Sequence, residues 1–424
     1  MNFDVVVIGG GPAGMAAAIS ASQNGGSVAI LEREDKLGGI LNQCIHNGFG
    51  LHYFGEELTG PEYAVKFISL IKKESNITKF LSTIVTDINP VEKTIKCMNQ
   101  SGVFQINAKA IILAMGCRER TAGGIMQCGH RPAGVFPAGC AQKLVNVKGK
   151  KVGSKVVILG SGDIGLIMAR RMTFEGAKVQ MVCELMPYSS GLKRNIVQCL
   201  DDFDIPLKFS TTITKVFGKN RVEGVEIASV DENLNPIAGT EQFIPCDTLL
   251  LSVGLIPEND LIFGKGIDMD AVTSGAVVDE NRMTNIPGIF SAGNVLHVHD
   301  LADNASLEAK TAGESAVAFA RGEKIDACDI KVLCDGKFVR YAVPQSISKA
   351  KNATAGDKTK IFLRVGNEYK NKKLVAKCGE NTIFSKSALI FAPGEMETIT
   401  IDKSKITGDV FITLEDKGGS DGNK

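Results

Sequence analysis

Two segments of the chain share one order of apolar runs and polar stretches. Residues 3–32 contain a mostly branched apolar run from Phe3 to Ile8, a stretch of helical composition, PAGMAAAISASQNG, and a second apolar run, SVAILE. Residues 155–184 repeat this order with KVVIL, IGLIMARRMTFEG and KVQMVCE. Each segment predicts a buried strand, a helix and another buried strand. Because parallel strands are joined by helices, the pattern indicates a doubly wound α/β sheet, present twice.

A second pattern follows each of these βαβ units. Residues 94–108, TIKCMNQSGVFQINA, predict a hairpin, and residues 110–116, AIILAMG, predict a buried strand that ends at glycine. After the second unit, residues 222–244 predict a hairpin, and DTLLLSVG predicts a buried strand that ends at Gly254. The chain therefore contains an internal duplication of architecture.

The pattern changes towards the C-terminus. IPGIFSAGNV, residues 286–295, predicts one more apolar strand, and SLEAKTAGESAVAFA, residues 306–320, predicts a helix. From Asp329 onward, short alternating runs such as KFVRYAV and KIFLRV are separated by Gly, Asn and Pro. Such runs are typical of a small all-β domain.

A glycine-rich loop joins strand to helix in the first unit. In GGGPAG, residues 9–14, Gly9 permits a tight turn, Gly11 lets the backbone approach a pyrophosphate, and Gly14 lets the helix pack closely on the strand. The helix N-terminus offers N–H groups and a positive dipole end to the phosphates. Glu32 ends the second strand, where a carboxylate can bind ribose hydroxyls. Strand, loop, helix, strand and acid in this order predict a dinucleotide-binding site.

The second unit carries the same device. Its loop, GSGDIG, contains Gly160, Gly162 and Gly165, and Glu184 ends the strand that follows. The loop predicts a second dinucleotide-binding site. Glu184 would repel a 2′-phosphate, and no Arg stands within ELMPYSSG to bind one, so the pattern favours NAD over NADP.

These elements predict an α/β fold with two Rossmann-like dinucleotide-binding domains, the first interrupted by the second, plus a small C-terminal all-β domain. The first domain is expected to comprise residues 1–117 and 251–328, and the second residues 118–250. Residues 329–416 are expected to form a β-sandwich-like domain, and residues 417–424, KGGSDGNK, a disordered tail.

Composition excludes several classes of function. The chain has 48 basic and 47 acidic side chains, so it lacks the field that gathers nucleic acid or an anionic membrane surface. No apolar stretch approaches the roughly 18 residues that span a bilayer. The first strand begins almost at the initiator, without the basic and apolar regions of a signal peptide, and we therefore expect a cytoplasmic protein. The 11 cysteines lack the spacing of zinc or iron–sulfur sites, so we expect no metal.

The chain resembles the two-dinucleotide-domain flavoprotein reductases, the superfamily of thioredoxin reductase and the pyridine nucleotide-disulfide oxidoreductases. The resemblance covers about the first 330 residues, in family order: GGGPAG with Glu32, GGILNQ (38–43), LTGPE (58–62), AMG (114–116), the second glycine loop, SVGLIPEN (252–259) and GIFSAGN (288–294). It implies FAD on the first loop and NAD(H) on the second. A hydride passes between the two dinucleotides, so each needs its own site.

The resemblance also implies which residues bind the two cofactors. They are Gly9, Gly11, Pro12, Ala13, Gly14, Glu32, Arg33, Gly39, Ile40, Leu41, Val85, Ala114, Gly116, Gly160, Gly162, Asp163, Ile164, Gly165, Glu184, Gly254, Gly293 and Asn294.

Three segments are similar to a narrower group within this superfamily: GGILNQCIHNGFG, GHRPAGVFPAGCAQ and GNVLHVHDLAD. The group comprises the FAD/NAD-binding subunits of opine oxidases and heteromeric sarcosine oxidase, and a reductase-like protein that accompanies bacterial glycerol-3-phosphate dehydrogenases. The β-rich C-terminal region favours the last of these. The resemblance implies a partner oxidoreductase subunit similar to a glycerol-3-phosphate dehydrogenase. The resemblance is also compatible with a homo-oligomer of this chain.

Two departures from the superfamily affect the chemistry. No C-x-x-C occurs, and the stretch after Gly39 holds only Cys44, so a dithiol relay is not expected. Asn294 stands where the family usually has an Asp that accepts a hydrogen bond from the ribityl chain of the flavin. Asn retains an acceptor oxygen but loses the charge, so FAD binding is expected to survive with a shifted potential.

Four residues are candidates for chemistry near the flavin. Cys44 and His46 follow GGILNQ, and His297 and His299 follow the strand that reaches the flavin in the family. The thiol could act as a nucleophile, and the imidazoles could hold or pass protons. The alternative is a buried thiol and structural imidazoles. Asp300 could orient an imidazole or cap the helix predicted to start near Ser306.

The leading hypothesis is therefore an FAD-dependent oxidoreductase that exchanges a hydride with NAD(H) and passes electrons between its flavin and a partner subunit or acceptor, with a link to glycerol-3-phosphate oxidation. Two alternatives remain open. One is an NADH oxidase or peroxidase in which Cys44 cycles through a sulfenic acid. The other is a subunit that binds the nucleotide without chemistry.

Overall fold

The structure of the protein, a computed structural model, describes residues 1–349 and 358–417. The chain divides into two compact units, one of Met1–Cys117 with Pro257–Lys424 and the other of Arg118–Ile256. Of the predicted disordered tail, all but Lys417 lies outside the described residues.

The helices alternate with strands along the first two thirds of the chain. The α-helices are α1 Pro12–Gln23, α2 Gly60–Ile71, α3 Ala138–Asn146, α4 Asp163–Phe174, α5 Lys193–Cys199 and α6 Ala302–Ala320. Short 3-10 helices cover Gly39–Gln43, Asp201–Phe203, Gly293–Val295 and Lys403–Lys405. Among the residues that the structure describes, no helix combines the length and the apolar character needed to cross a membrane.

The strands are short apart from one of twelve residues. They are β1 Asn2–Ile8, β2 Val28–Leu31, β3 Asn47–Phe49, β4 Leu58–Thr59, β5 Ile77–Phe80, β6 Ile84–Asn89, β7 Thr94–Asn99, β8 Gly102–Leu113, β9 Cys117–Glu119, β10 Val135–Pro137, β11 Lys155–Leu159, β12 Lys178–Cys183, β13 Leu207–Lys208, β14 Thr211–Phe217, β15 Gly224–Ser229, β16 Gln242–Ile244, β17 Thr248–Leu251, β18 Leu255–Pro257, β19 Ile289–Ser291, β20 Ile330–Cys334, β21 Val339–Val343, β22 Ser346–Ile347, β23 Lys358–Val365, β24 Tyr369–Lys370, β25 Lys372–Cys378, β26 Asn381–Ser387, β27 Ile390–Phe391, β28 Glu397–Asp402 and β29 Val410–Asp416.

The first doubly wound sheet has the order β5-β2-β1-β8-β7-β6, and β19 also pairs with β8. Strands β5, β2, β1, β8 and β19 run parallel, whereas β7 and β6 are antiparallel additions. Ile8 is in register with Leu31 and Leu113, and Leu113 with Ser291. The loops after four parallel strands therefore leave from one edge of the sheet, where ligands of such folds bind.

The second unit contains a parallel sheet of order β10-β17-β11-β12-β13 and an antiparallel sheet β14-β15-β16. Here Leu159 is in register with both Cys183 and Leu251. The loops after these strands also share one edge. The predicted α/β fold with two Rossmann-like domains is confirmed.

The C-terminal part of the first unit is all-β in its described residues, as predicted. A sheet of order β22-β20-β29-β25-β26 and a sheet β21-β23-β28 enclose one apolar core. Ile361 and Leu363 enter this core from one sheet, and Leu374, Ala376 and Ile412 enter it from the other. These core residues are spaced two apart along β23 and β25, and the residues between them, Phe362 and Val375, are buried as well.

The helix α1 owes its buried position to its composition. Its residues from Ala13 to Ser22 are all buried, and most of them are small. Small side chains let helix α6 approach closely: a Cβ placed on Gly313 would lie 2.4 Å from the carbonyl oxygen of Ala17. The two helices thus pack backbone to backbone next to the first sheet.

The structure differs from two of the sequence-based element predictions. The hairpin of residues 94–108 and the strand of residues 110–116 are not separate, because β8 pairs with β7 over Gly102–Asn107 and continues beside β1 to Leu113. Helix α6 begins at Ala302, four residues before Ser306. Asp303 in its first turn binds the loop at residues 50–52, because its carboxylate accepts hydrogen bonds from the backbone N–H groups of Gly50 and His52.

Candidate functional site

The first glycine loop leaves β1 in a conformation that excludes a side chain. Gly9 has φ +108°, and a Cβ on it would lie 2.3 Å from the carbonyl oxygen of Ala114. A Cβ on Gly14 would lie 1.8 Å from the carbonyl oxygen of Gly9. Gly11 differs from both, because no protein atom lies within 4 Å of where its Cβ would stand. The loop is therefore tight against its own strand and helix, and open at Gly11.

The N-terminus of α1 carries no side-chain cap. Gly11 is the N-cap residue and Pro12 is the first helical residue. The first N–H groups of a helix have no intrahelical partner, and they carry the positive end of the helix dipole. The uncapped end beside the open position of Gly11 matches what a pyrophosphate requires.

Glu32 binds the loop from the end of β2. One carboxylate oxygen accepts the N–H of Gly10 at 2.7 Å, and the other accepts the N–H of Glu34 at 2.8 Å. The side chain is buried. A carboxylate has about four lone-pair sites, so these two bonds leave acceptor capacity for hydroxyl groups.

Two further backbone turns approach this loop. The N–H of Gly38 donates to the carbonyl oxygen of Gly10 at 2.8 Å, and the 3-10 helix Gly39–Gln43 begins there. Gly293, which follows β19, lies against α1, because a Cβ on it would stand 2.6 Å from the Cβ of Ala13. The structure thus places three segments of the predicted FAD site at one sheet edge.

The other predicted residues of the first site vary in position. Leu41 and Ala114 are buried, whereas Arg33 and Ile40 are exposed. Gly116 follows the end of β8 at the same edge, and Val85 lies half-buried on β6.

Asn294 is held at both ends of its amide. Its Oδ1 accepts the backbone N–H of His299 at 3.0 Å, and its Nδ2 donates to Sγ of Cys117 at 3.6 Å. An aspartate could not donate to the sulfur atom. In its place, the thiol of Cys117 would have to donate to the carboxylate.

The second glycine loop has the same construction. Gly160 has φ +98°, and its Cβ would lie 2.0 Å from the carbonyl oxygen of Ser252. Glu184 accepts the N–H of Ser161 at 2.8 Å and its hydroxyl at 2.6 Å, much as Glu32 accepts the N–H of Gly10. Its other oxygen accepts the N–H of Met186 at 3.0 Å.

Serine hydroxyls distinguish the second loop from the first. A Cβ on Gly162 would lie 3.2 Å from Oγ of Ser252, and the same hydroxyl accepts the N–H of Gly165 at 3.1 Å. Asp163 opens α4 and accepts the N–H of Leu192 at 2.8 Å. Of the remaining predicted residues, Ile164 packs against the core of this unit and Gly254 follows β17.

Cys44 and His46 lie close to each other along the chain but differ chemically. Burial raises the pKa of the Cys44 thiol to about 12. The thiol is therefore protonated at neutral pH, which disfavours a nucleophilic role. His46 is half-buried, with Nδ1 2.8 Å from the carbonyl oxygen of Asn47 and its ring 5.3 Å from that of Phe49.

His297 and His299 meet at one carboxylate. Their Nε2 atoms each lie 3.0 Å from a different oxygen of Glu308. Glu308 also accepts Nε–H of Arg282 at 3.2 Å and the backbone N–H of Gly293 at 2.8 Å. The side chains of His297, His299, Glu308 and Arg282, which we call the Glu308 cluster, are all buried.

The protonation of the cluster follows from its burial and its partners. Burial, together with neighbouring His299, lowers the pKa of His297 to about 4. Burial opposes ionisation of Glu308, but the two histidines outweigh it and hold its pKa well below the ordinary value. With the His297 imidazole neutral, the Glu308 carboxylate is balanced by the Arg282 guanidinium.

The two histidines and Glu308 are also the residue types of a metal site, with ligand atoms within 4.8 Å of one another. The same carboxylate oxygens already accept the Arg282 and Gly293 N–H groups, and a guanidinium beside a cation is unfavourable. The donor set therefore suits a hydrogen-bonded network better than a metal. The expectation of no metal stays a prediction.

Sequence reasoning missed Arg282 and Glu308. Glu308 lies on the apolar stripe of α6, three residues after Ala305 and four before Ala312, and a charge within a buried stripe was an available signal. Arg282 offered no such signal. The expected roles of Asp300 are replaced by another contact, because its carboxylate pairs with Arg364 and accepts the N–H of Met396 at 2.6 Å.

Comparisons with known proteins identify the family to which a chain with two such glycine-loop sites belongs. The sequence profile of the family described as pyridine nucleotide-disulphide oxidoreductase matches residues 3–309. The chain belongs to this family. Membership makes it an FAD-dependent oxidoreductase of NAD(P)H. The β-rich domain lies beyond the matched residues.

Two curated relatives are similar to this oxidoreductase over about two thirds of its length. The F component of alkyl hydroperoxide reductase from Staphylococcus aureus (strain MRSA252) is 28% identical over 306 residues, which are 69% of this chain and 54% of the relative. The HcnB component of hydrogen cyanide synthase from Pseudomonas protegens is 24% identical over 318 residues, 70% of this chain and 66% of the relative. The oxidoreductase thus spans about half the length of the first of these relatives.

Solved structures give the same fold. Thioredoxin reductase of T. acidophilum is 25% identical, with a TM-score of 0.62, and the match covers 75% of this chain and 98% of that one. An NAD-dependent persulfide reductase of A. fulgidus is 21% identical, with a TM-score of 0.59 over 89% of this chain and 67% of that one, which shows the fold alone.

The residues of the first loop fit the FAD that this family uses. The open position at Gly11, the uncapped α1 and the acceptor capacity of Glu32 are the features that a dinucleotide needs. When bound, the flavin supplies hydride and electron transfer. Residues of this oxidoreductase would hold the pyrophosphate at Gly11 to Gly14 and the ribose at Glu32.

The Gly11→Val substitution is expected to abolish FAD binding without unfolding the protein. The backbone at Gly11 has φ −74°, which valine adopts, and no protein atom opposes its Cβ. The side chain would instead occupy the approach of the pyrophosphate. We expect FAD content, measured by absorbance after purification, to fall at least tenfold, with far-ultraviolet circular dichroism unchanged.

Gly162→Ala is the companion variant for the second loop, where a Cβ would lie 3.2 Å from Oγ of Ser252. It should retain FAD and lose reduction of the flavin by NADH. Full FAD in Gly11→Val, together with loss of FAD in Gly162→Ala, would reverse the assignment of the two loops.

The Glu308 cluster should make the protein less stable in acid. Because the pKa of His297 is lowered to about 4 in the folded protein, the unfolded chain binds more protons between pH 6.5 and 4. The contribution of His297 to the free energy of unfolding is fully present above pH 6.5. It falls by at most about 3 kcal/mol as the pH drops through this window. The depressed pKa of Glu308 adds a further loss below its ordinary value of 4.5.

The His297→Gln variant should have a flatter dependence of unfolding temperature on pH between 6.5 and 4, because an amide can donate to Glu308 but does not titrate. His52→Gln, outside the cluster, is the control. Equal slopes in the wild type and His297→Gln would contradict the assignment.

Proposed function

We propose that the protein exchanges a hydride between NAD(H) and its FAD and passes electrons between the flavin and a partner subunit, without a redox-active dithiol. The observation that carries this proposal is the occurrence of two complete loop-and-acid sites in a chain whose cysteines include no C-x-x-C pair and form no disulfide. All eleven cysteines lie in described residues, and none is joined there in a disulfide. Electrons therefore need an acceptor other than a disulfide formed within the chain.

The relatives support a partner subunit. Both the alkyl hydroperoxide reductase component and the hydrogen cyanide synthase component are named as subunits. The segments GGILNQCIHNGFG and GNVLHVHDLAD, with the β-rich end, favour a partner similar to a glycerol-3-phosphate dehydrogenase. A cytoplasmic location is part of the same proposal.

The geometry supports different roles for the four candidate catalytic residues. The nearly complete burial of His297 and His299 and their bonds to Glu308 favour a positioning role over proton transfer. The raised pKa of Cys44 speaks against the alternative of a single-cysteine peroxidase, which needs a thiolate. His46 is the candidate with the most accessible ring of the three histidines, and it remains the proposed proton carrier.

The second site is proposed to prefer NADH. The carboxylate of Glu184 would repel a 2′-phosphate, and the segment over the loop contributes Ser189, whose hydroxyl donates to the carbonyl oxygen of Ser161 at 3.1 Å, rather than a cation. We expect kcat/KM for flavin reduction to be at least tenfold higher with NADH than with NADPH, about 1.4 kcal/mol.

Glu184→Gln is the sharpest variant for this prediction, because it keeps the size of the side chain and one of its two acceptor oxygens while removing the charge. The substitution should lower the ratio of kcat/KM with NADH to kcat/KM with NADPH. Stopped-flow absorbance gives both rates. Equal rates with the two nucleotides in the wild type, or an unchanged preference in Glu184→Gln, would contradict the role of Glu184.

The proposed exit of electrons predicts a clear pattern of acceptors. Reduction of thioredoxin-like disulfides and of dithionitrobenzoate should be weak, because the chain has no C-x-x-C pair to relay electrons. A soluble redox dye should be reduced rapidly by NADH. In Cys44→Ser, turnover with the dye and with peroxide should both be unchanged.

Steady-state rates with each acceptor test this prediction. Loss of peroxide turnover in Cys44→Ser would favour the peroxidase, and failure of NADH to bleach the flavin would favour a subunit that binds the nucleotide without chemistry.

A further inference from the structure

The C-terminal β domain contacts the segment that follows the flavin-site strand β19. The ring of Phe362 on β23 lies 5.6 Å from the ring of His297 and 5.4 Å from that of His299, between centroids. Arg364, two residues further on the same strand, donates to the carbonyl oxygen of Val298 at 3.1 Å and pairs with Asp300. Two side chains of one strand therefore hold four consecutive residues, 297–300.

Arg364 is itself fixed by the β domain. Its Nε donates to the hydroxyl of Tyr341 at 3.2 Å, and its Nη1 donates to the carbonyl oxygen of Pro393 at 2.9 Å. The side chains of Arg364 and Asp300 are each 15% exposed. A guanidinium with this many partners is a rigid contact, because its planar fork leaves few alternative geometries.

Hydrogen bonds connect the segment 297–300 to the backbone turn at Gly293 and Asn294. The backbone N–H of His299 donates to Oδ1 of Asn294 at 3.0 Å. Glu308, bound by His297 and His299, accepts the N–H of Gly293 at 2.8 Å. This turn lies against Ala13 of the glycine loop. Hydrogen bonds and ring contacts thus connect the β domain to the edge of the proposed FAD site.

We propose that Phe362 and Arg364 of the C-terminal β domain are positioning residues for the Gly293–Asn294 turn, and that through it they set the affinity for FAD and the midpoint potential of the flavin. The inference rests on the proposed FAD site. Outer contacts of this kind orient the groups that touch a cofactor and tune its electronics. The β domain is accordingly a functional part of the oxidoreductase.

A second ion pair between the same two parts of the unit provides a matched control. Lys403 of the β domain pairs with Glu280 at 2.8 Å, and their side chains are 3% and 2% exposed. Ser348 also donates to Glu280, at 2.5 Å from its hydroxyl. Glu280 also accepts the backbone N–H of Ser348 at 2.9 Å and the thiol of Cys328 at 3.9 Å, and Nζ of Lys403 donates to Oγ of Ser348 at 3.2 Å, so these contacts lie outside residues 293–300.

The experiment compares Arg364→Met and Phe362→Leu with the double variant Glu280→Gln/Lys403→Met, all in the full chain. Removing both partners of the control pair avoids an isolated buried charge. Three quantities are measured: the dissociation constant of FAD from the apoprotein by flavin fluorescence, the midpoint potential by equilibration with a reference dye, and the unfolding temperature.

Arg364→Met is expected to weaken FAD binding at least fivefold and to shift the midpoint potential beyond the scatter of repeated titrations, with a smaller effect in the same direction from Phe362→Leu. The double variant should lower the unfolding temperature. It should leave the dissociation constant of FAD within twofold of the wild-type value and the midpoint potential within the scatter of repeated titrations. If Arg364→Met does not fold, Phe362→Leu and Arg364→Lys carry the test.

An unchanged FAD affinity and potential in the folded variants would overturn the inference, as would equal changes in the double variant. The failure of the inference differs from failure of the proposed FAD site. In the first case, Gly11→Val still loses FAD; in the second, Gly11→Val retains it.

Discussion

Both nucleotide sites depend on the close approach of a glycine loop to the end of the neighbouring parallel strand. Gly9 lies against the carbonyl group of Ala114, and Gly160 lies against that of Ser252, so closely that a Cβ would overlap the oxygen. This contact exists only because the strands are parallel, in register and end together. The acids Glu32 and Glu184 then bind the same turns from the next strand. The duplication is therefore one of contacts as well as of sequence pattern.

The two sites differ in what surrounds the turn. The first loop is open at Gly11 and receives the backbone turns at Gly38 and Gly293. The second loop is lined by the hydroxyl of Ser252. It also receives the segment 189–192, in which Ser189 donates to the carbonyl oxygen of Ser161 and the N–H of Leu192 donates to Asp163.

A buried carboxylate organises the far side of the first site. Glu308 has no contact with solvent, so its charge must be satisfied by protein donors. Four donors from three segments of chain meet it, and each of those segments is thereby fixed. The β domain contacts the two histidines through Phe362, and Val298 and Asp300 through Arg364. A domain outside the residues matched by the family can consequently influence the part of the chain inside them.

The sequence by itself determined the two βαβ units, the loop-and-acid sites, the all-β end and the absence of a C-x-x-C pair, because these features are local and depend on periodicity, spacing and the steric demands of glycine. It also indicated that His297, His299 and Asn294 matter, but not what they contact. Only the tertiary structure decided that both imidazoles donate to Glu308, that Asp300 pairs with Arg364, and that one strand, β8, joins the predicted hairpin to the buried strand. Partners such as Arg282 and Glu308, or Asp300 and Arg364, stand 26 and 64 residues apart. Their pairing follows from the packing of whole elements, which no local pattern of residues encodes.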